Sequence, residues 1–184
     1  MGHRSIFNKL ISVLEKEERN VEAWVELAEL QEELEGRSVG FHELATETTF
    51  SLPSFVWLKV LDLEPLHIQA LEKVVEFYFE IADDMEEGLA YLQSLEEIAP
   101  KNLVAKMYRL LFWAYSDEAD EEKAQILLGE ILDADLGFAY TYGLFDYFEE
   151  LGFLNDRKAA LIAFAQSKQG GYASTLVERL EEEA

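Results

Sequence analysis

One pattern is written three times between Asp84 and Ser167, and it constrains the fold more than any other feature of the chain. Asp84, Gly88, Leu92 and Leu95 are followed 36 residues later by Asp120, Ala124, Leu128 and Ile131, and 36 further on by Asp156, Ala160, Phe164 and Ser167. Each copy is an aspartate, a small residue four places on, then residues at helical spacing that are apolar except for the closing Ser167. A unit of this length cannot bury its own apolar face and must stack on its neighbours. A fixed period of this size therefore predicts an array of helix pairs.

Each position in the pattern has a physical reading. The aspartate is placed to cap a helix, accepting otherwise unpaired backbone N–H groups and matching the helix dipole. Gly88, Ala124 and Ala160 present almost no side chain, so a neighbouring helix is expected to approach closely there. Leu92, Leu128 and Phe164 recur one turn further along the same face. Ahead of each such helix lies an antiparallel partner with its own stripe. Its anchors are Leu71, Val74, Val75 and Tyr78, then Met107, Leu110, Leu111 and Ala114, then Leu144, Tyr147, Phe148 and Leu151, the last set slipped by one residue.

This arrangement resembles the tetratricopeptide repeat family. Trp24, Leu27 and Ala28 fit that family's first-helix pattern, as do Leu71 and Tyr78, and Pro65 and Pro100 stand where closing prolines would. Leu136 and Tyr172 replace the later prolines, Gln31 replaces the first aromatic, and the period is 36 where the family has about 34. The resemblance covers residues 21 to 172 and implies an all-α solenoid of antiparallel helix pairs in a right-handed superhelix.

The expected organisation is a single repeat domain over residues 1–184. Ser5 is placed to cap an N-terminal helix over 4–16, with Phe7, Leu10, Ile11 and Leu14 inward. An irregular first unit follows over 21–65, capped by Asn20 and striped by Trp24, Leu27, Ala28 and Leu34, with Gly36 ending its first helix. Between Trp24 and Leu71 the spacing exceeds the later period, which puts an insertion near 37–50. That insertion reads as a short extra helix or an ordered loop. Pro53 opens the helix beyond it, which runs to Leu63. Repeats are expected over 68–100, 103–136 and 138–169, closed by a solvating helix over 173–182 that carries Leu176, Val177 and Leu180.

Charge narrows the function. With 38 acidic residues against 15 lysines and arginines, the formal charge is −23, which disfavours direct contact with nucleic-acid phosphates or anionic membranes and favours basic partners. No cysteine is present for disulfide or thiolate chemistry. The opening residues lack a secretory pattern, and Ile6 stands where a myristoylation motif wants Ser or Thr, so cytoplasmic residence is expected.

Catalytic patterns are poor. His42–Thr46 starts like a zinc-protease helix, but Thr46 occupies the second histidine's place. Asp133–Gly137 has two calcium-loop aspartates without the closing glutamate. The chain is therefore expected not to be an enzyme and to need no metal or cofactor.

The offsets of the core stripes leave a second face on each first helix. It carries Glu72, Glu76 and Phe79, then Tyr108, Phe112 and Tyr115, then Tyr142, Phe145 and Glu149. The family resemblance implies that these residues line a concave groove. Aromatics beside acids suit capture of a basic, partly apolar segment of another protein, which makes a scaffold or adaptor the leading expectation. The bland reading of the same residues is burial, because the helix over 103–115 is apolar nearly all round. Two other function classes stand beside the first: an acidic mimic of nucleic acid that occupies a basic protein, and a structural subunit of a larger assembly.

Overall fold

The computed structural model describes residues 2–35, 53–82, 84–115, 120–146, 155–168 and 170–182. All regular structure among them is helical, with no strand. Ten α-helices follow in order: α1 (His3–Leu14), α2 (Val21–Glu35), α3 (Pro53–Leu63), α4 (Ile68–Glu76), α5 (Met85–Ile98), α6 (Leu103–Tyr115), α7 (Glu121–Ala134), α8 (Leu136–Thr141), α9 (Asn155–Gln166) and α10 (Gly171–Glu182). A π-helical turn, Phe77–Ile81, extends α4, and a 3-10 turn, Leu144–Asp146, follows α8. The chain gathers into two compact units, Met1–Ala105 and Lys106–Ala184.

In the first unit, helices adjacent in sequence pack on one another: α1 on α2, α2 on α3, α3 on α4 and α4 on α5. Their ends are set by side chains accepting from the first free N–H groups. The Asn20 carbonyl oxygen accepts from Ala23 N at 3.0 Å, His67 Nδ1 from Ala70 N at 3.2 Å and Asp84 Oδ1 from Glu87 N at 3.2 Å. Trp24, Leu27 and Ala28 of α2, Val56, Trp57 and Val60 of α3, and Leu71, Val74 and Val75 of α4 are buried, with Leu92 and Leu95 of α5. Each large apolar side chain so buried contributes about 1.5–3 kcal/mol. The polar edges of the two tryptophans are satisfied: Trp24 Nε1 donates to the Glu18 carbonyl at 2.7 Å, and Trp57 Nε1 to Glu32 Oε1 at 2.8 Å.

Two expectations are corrected in this unit. Ser5 does not cap α1. The helix starts at His3 behind Gly2, and the Ser5 N–H donates to the Gly2 carbonyl at 2.9 Å, so Ser5 lies inside the first turn. At the end of α4, Phe79 and not Tyr78 is the buried side chain. The cause is the π turn, in which Ala82 N donates five residues back to the Phe77 carbonyl at 2.9 Å. That wider turn advances the inward position by one residue. The proposed end of α2 at Gly36 and the insertion over 37–50 lie outside the described residues.

In the second unit, Asp120 caps α7 through Lys123 N at 3.1 Å, matching Asp84 in the preceding copy. Ala124, Leu128 and Ile131 are fully buried, as are Leu92 and Leu95. The third copy departs from strict period. Ala160 is exposed, and Leu161 and Ala165 are buried in its place, one residue later along α9. Asp156 falls within α9 instead of preceding it, and Ser167 is exposed. Leu144, buried, likewise stands one residue beyond the strict equivalent of Met107.

Gly143 separates α8 from the 3-10 turn that carries Leu144. Its φ of +68° ends α8 and starts the 3-10 turn, a conformation that costs a side-chain-bearing residue more than it costs glycine. Leu136, expected as a substitute for a closing proline, instead opens α8 behind Asp135, which accepts from Gly137 N at 2.7 Å and Phe138 N at 3.1 Å. The last helix, α10, packs on α9 with Ala173, Leu176 and Leu180 buried. Tyr147, Phe148 and Leu151 lie outside the described residues.

Candidate interaction surface

The nine residues expected to line a groove meet different fates. In the first unit, the Glu72 carboxylate accepts from Asn102 Nδ2 at 2.5 Å, and Glu76 pairs with Lys73 at 3.3 Å. Both are half-buried and remain reachable. Phe79 is buried against Gly88, which makes it a packing residue. In the second unit, Tyr108 and Phe145 are 1% and 0% exposed, so they are core and cannot meet a partner as they stand. The burial reading of the 103–115 helix holds for Tyr108. Phe112 is half-buried, and Tyr142 is exposed. The side chain of Tyr115 and the whole of Glu149 lie outside the described residues.

Aromatic side chains gather at the surface of each unit, in different company. In the first, the Tyr78 and Tyr91 rings stack with centroids 5.6 Å apart and planes 11° from parallel, and Phe77 meets Tyr78 edge-on at 5.3 Å. Tyr78 comes from the π turn and Tyr91 from α5. Burial pushes the Tyr78 hydroxyl above its usual range, and Tyr91, Glu87 and Asp84 push it the same way. Burial also raises Tyr91, with Glu87 and Asp62 adding to it. Among the described residues, the charged side chains that raise this pair, Asp62, Asp84 and Glu87, are all carboxylates.

In the second unit the aromatics have cations of their own. The Arg109 guanidinium lies 5.6 Å from the Phe112 centroid and 5.7 Å from that of Trp113. Lys123 Nζ stands 5.5 Å from Trp113, and Lys168 Nζ 4.5 Å from Phe164. Around α8, Phe138 tilts against Tyr142 at 4.6 Å, while Tyr140 meets Phe145, Phe164 and Tyr172 within 5.9 Å. Arg179 bonds Asp146 at 2.5 Å beside this cluster.

A cleft lined by described residues lies in each unit. One, of about 470 Å³ in the second unit, is lined by Leu132, Asp133, Asp135, Arg157, Leu161 and Phe164. Its charges are largely spent locally, since Arg157 donates to Asp133 and holds that carboxyl below its usual range, and Asp135 caps α8. The other, of about 380 Å³ in the first unit, has Ile11, Leu14 and Trp24 on its walls, with Lys59 and Glu18 paired at 3.6 Å on its rim.

Sequence reasoning missed the Tyr78–Tyr91 pair because a regular α-helix would have turned Tyr78 inward. The signal available was the run of three consecutive aromatics, Phe77–Phe79, which no single amphipathic face can bury. Among the described residues, no group of three or more His, Asp or Glu side chains is placed to hold a metal ion, and no helix is long and apolar enough to cross a membrane. No protein-family model, curated protein or solved structure matches the chain.

Proposed function

We propose that this protein is an interaction scaffold or adaptor of tetratricopeptide-like design that binds a basic, partly apolar segment of a partner protein. The observation that carries the reading is aromatic surface on an acidic chain. Tyr142 and Tyr172 are 49% and 41% exposed in a protein whose formal charge is −23. Tyrosine supplies large, rigid contact area with a polar tip, and carboxylates steer and pair with basic side chains. Tyr142 stands at the end of α8 and Tyr172 within α10, and a preformed helical support limits the entropy lost on binding. Of the expected set, Glu72 and Glu76 stay reachable in the first unit, and Phe112 and Tyr142, each taken within its own unit, in the second.

The test is a calorimetric titration of the full chain with short peptides that are basic and apolar, acidic and apolar, or neutral. Only the basic apolar peptide is expected to bind. Phe112→Ala and Glu76→Lys, each checked for a wild-type helical spectrum, are expected to weaken that binding. Equal binding of the acidic and basic peptides would overturn the reading.

A further inference from the structure

The chain's own cations divide unevenly among its aromatic clusters. Arg109, Lys123 and Lys168 cover Phe112, Trp113 and Phe164 in the second unit. In the first unit, Lys59 and Lys73 are engaged by Glu18, Glu32 and Glu76, on elements other than α5. Among the described residues, no lysine or arginine lies over the Tyr78–Tyr91 stack, and none pairs with Glu87 or Asp62. Both rings are partly exposed, and Asp62, Asp84 and Glu87 are all exposed. A near-parallel tyrosine pair offers π faces whose negative potential the flanking carboxylates reinforce.

Resting on the scaffold reading above, we propose that the Tyr78–Tyr91 stack with Asp62, Asp84 and Glu87 is the docking surface for an arginine of the partner segment. Charge complementarity selects a cation, and shape selects arginine over lysine. A planar guanidinium lies flat on an aromatic face while its edge N–H groups reach a carboxylate, whereas an ammonium is a compact, strongly hydrated point charge. Glu87 is the first partner for those N–H groups, because it stands one helical turn before Tyr91 on α5. Asp84 already has one oxygen committed to capping α5, and so contributes chiefly field. Ile81, 72% exposed at the end of the π turn, offers apolar surface on the same element for a neighbouring aliphatic side chain of the segment.

The experiment is a titration of the ¹⁵N-labelled full chain with an amidated peptide of alternating leucine and arginine, alongside lysine and citrulline counterparts. The arginine peptide is expected to shift the amides of Tyr78, Glu87 and Tyr91. The lysine peptide should bind more weakly and the uncharged citrulline peptide more weakly still. Tyr91→Leu is expected to cut affinity about three- to tenfold. Glu87→Lys, an exposed change that spares the packing, is expected to cut it at least as far. Binding of the arginine peptide with unchanged affinity in both variants, or shifts confined to other residues, would overturn this placement and leave the scaffold reading standing. Equal binding of the citrulline peptide would remove the cation from the account. Failure of every basic peptide to bind would overturn both readings together.

Discussion

Gly88 shows how narrow the tolerance is at a single residue. A β-carbon there would stand 2.8 and 2.9 Å from ring atoms of Phe79 and 3.0 Å from Tyr78 Cβ. The ring is buried and the Tyr78 Cβ is fixed by its backbone, so neither gives way cheaply. Alanine would gain about 1 kcal/mol of helix propensity and lose about 1–3 kcal/mol to overpacking, so Gly88→Ala is expected to lower stability by about 1 kcal/mol, read as a urea midpoint. Ala124→Leu, at a fully buried position, is expected to cost about 1–3 kcal/mol, while Ala160→Leu, exposed, should stay within about 0.5 kcal/mol. Equal costs at 124 and 160 would restore the strict period that the structure displaces. Ionised side chains add pH limits at both ends. The Arg157 hydrogen bond lowers the Asp133 carboxyl, so its contribution is present above about pH 3.9 and is lost as pH falls through the depressed folded value. The stability difference between wild type and Asp133→Asn should therefore be present at neutral pH and vanish in acid. Lys73 runs the other way. Burial lowers its pKa, but Glu76 and Glu32 outweigh that and raise it, so its contribution holds below about pH 10 and is lost above the folded value.

At the scale of elements, the sequence was most legible where local chemistry decides the outcome. Asn20, Asp84 and Asp120 cap as their side chains dictate, and Pro53 opens α3 because its missing N–H costs nothing there. Leu92, Leu95, Leu128 and Ile131 are buried as the period requires. Legibility failed where one residue was added or a turn widened. The π turn of Phe77–Ile81 exchanged Tyr78 for Phe79, and the third copy's inward face lies at Leu161 where a strict count puts Ala160. Both events depend on tertiary packing that a strict count of positions does not contain. The candidate surface was legible only in part for the same reason. Composition indicated aromatics beside acids, but burial removed Tyr108, Phe145 and Phe79 from reach and brought Tyr91, placed in no stripe, to the surface. Removing the cap of α5 with Asp84→Ala is expected to cost about 0.5–2 kcal/mol. The matching loss for Asp120→Ala, measured by the same unfolding midpoint, checks that the two copies are physically equivalent.

For the molecule as a whole, net charge sets the balance. An excess of acids amounting to −23 repels itself, and exposed ion pairs such as Asp133–Arg157 return little. Added monovalent salt screens the repulsion more than it weakens such pairs, so the thermal midpoint is expected to rise with ionic strength. The same field that burdens the folded chain would favour the basic segment proposed above, and salt should therefore act on stability and binding in opposite directions. The most direct measurement is the affinity of the full chain for the leucine–arginine peptide across a salt series, with folding followed in the same samples. Binding is expected to weaken steadily as salt rises while the protein itself becomes more stable. Binding that is absent at low salt, or unchanged across the series, would contradict that expectation.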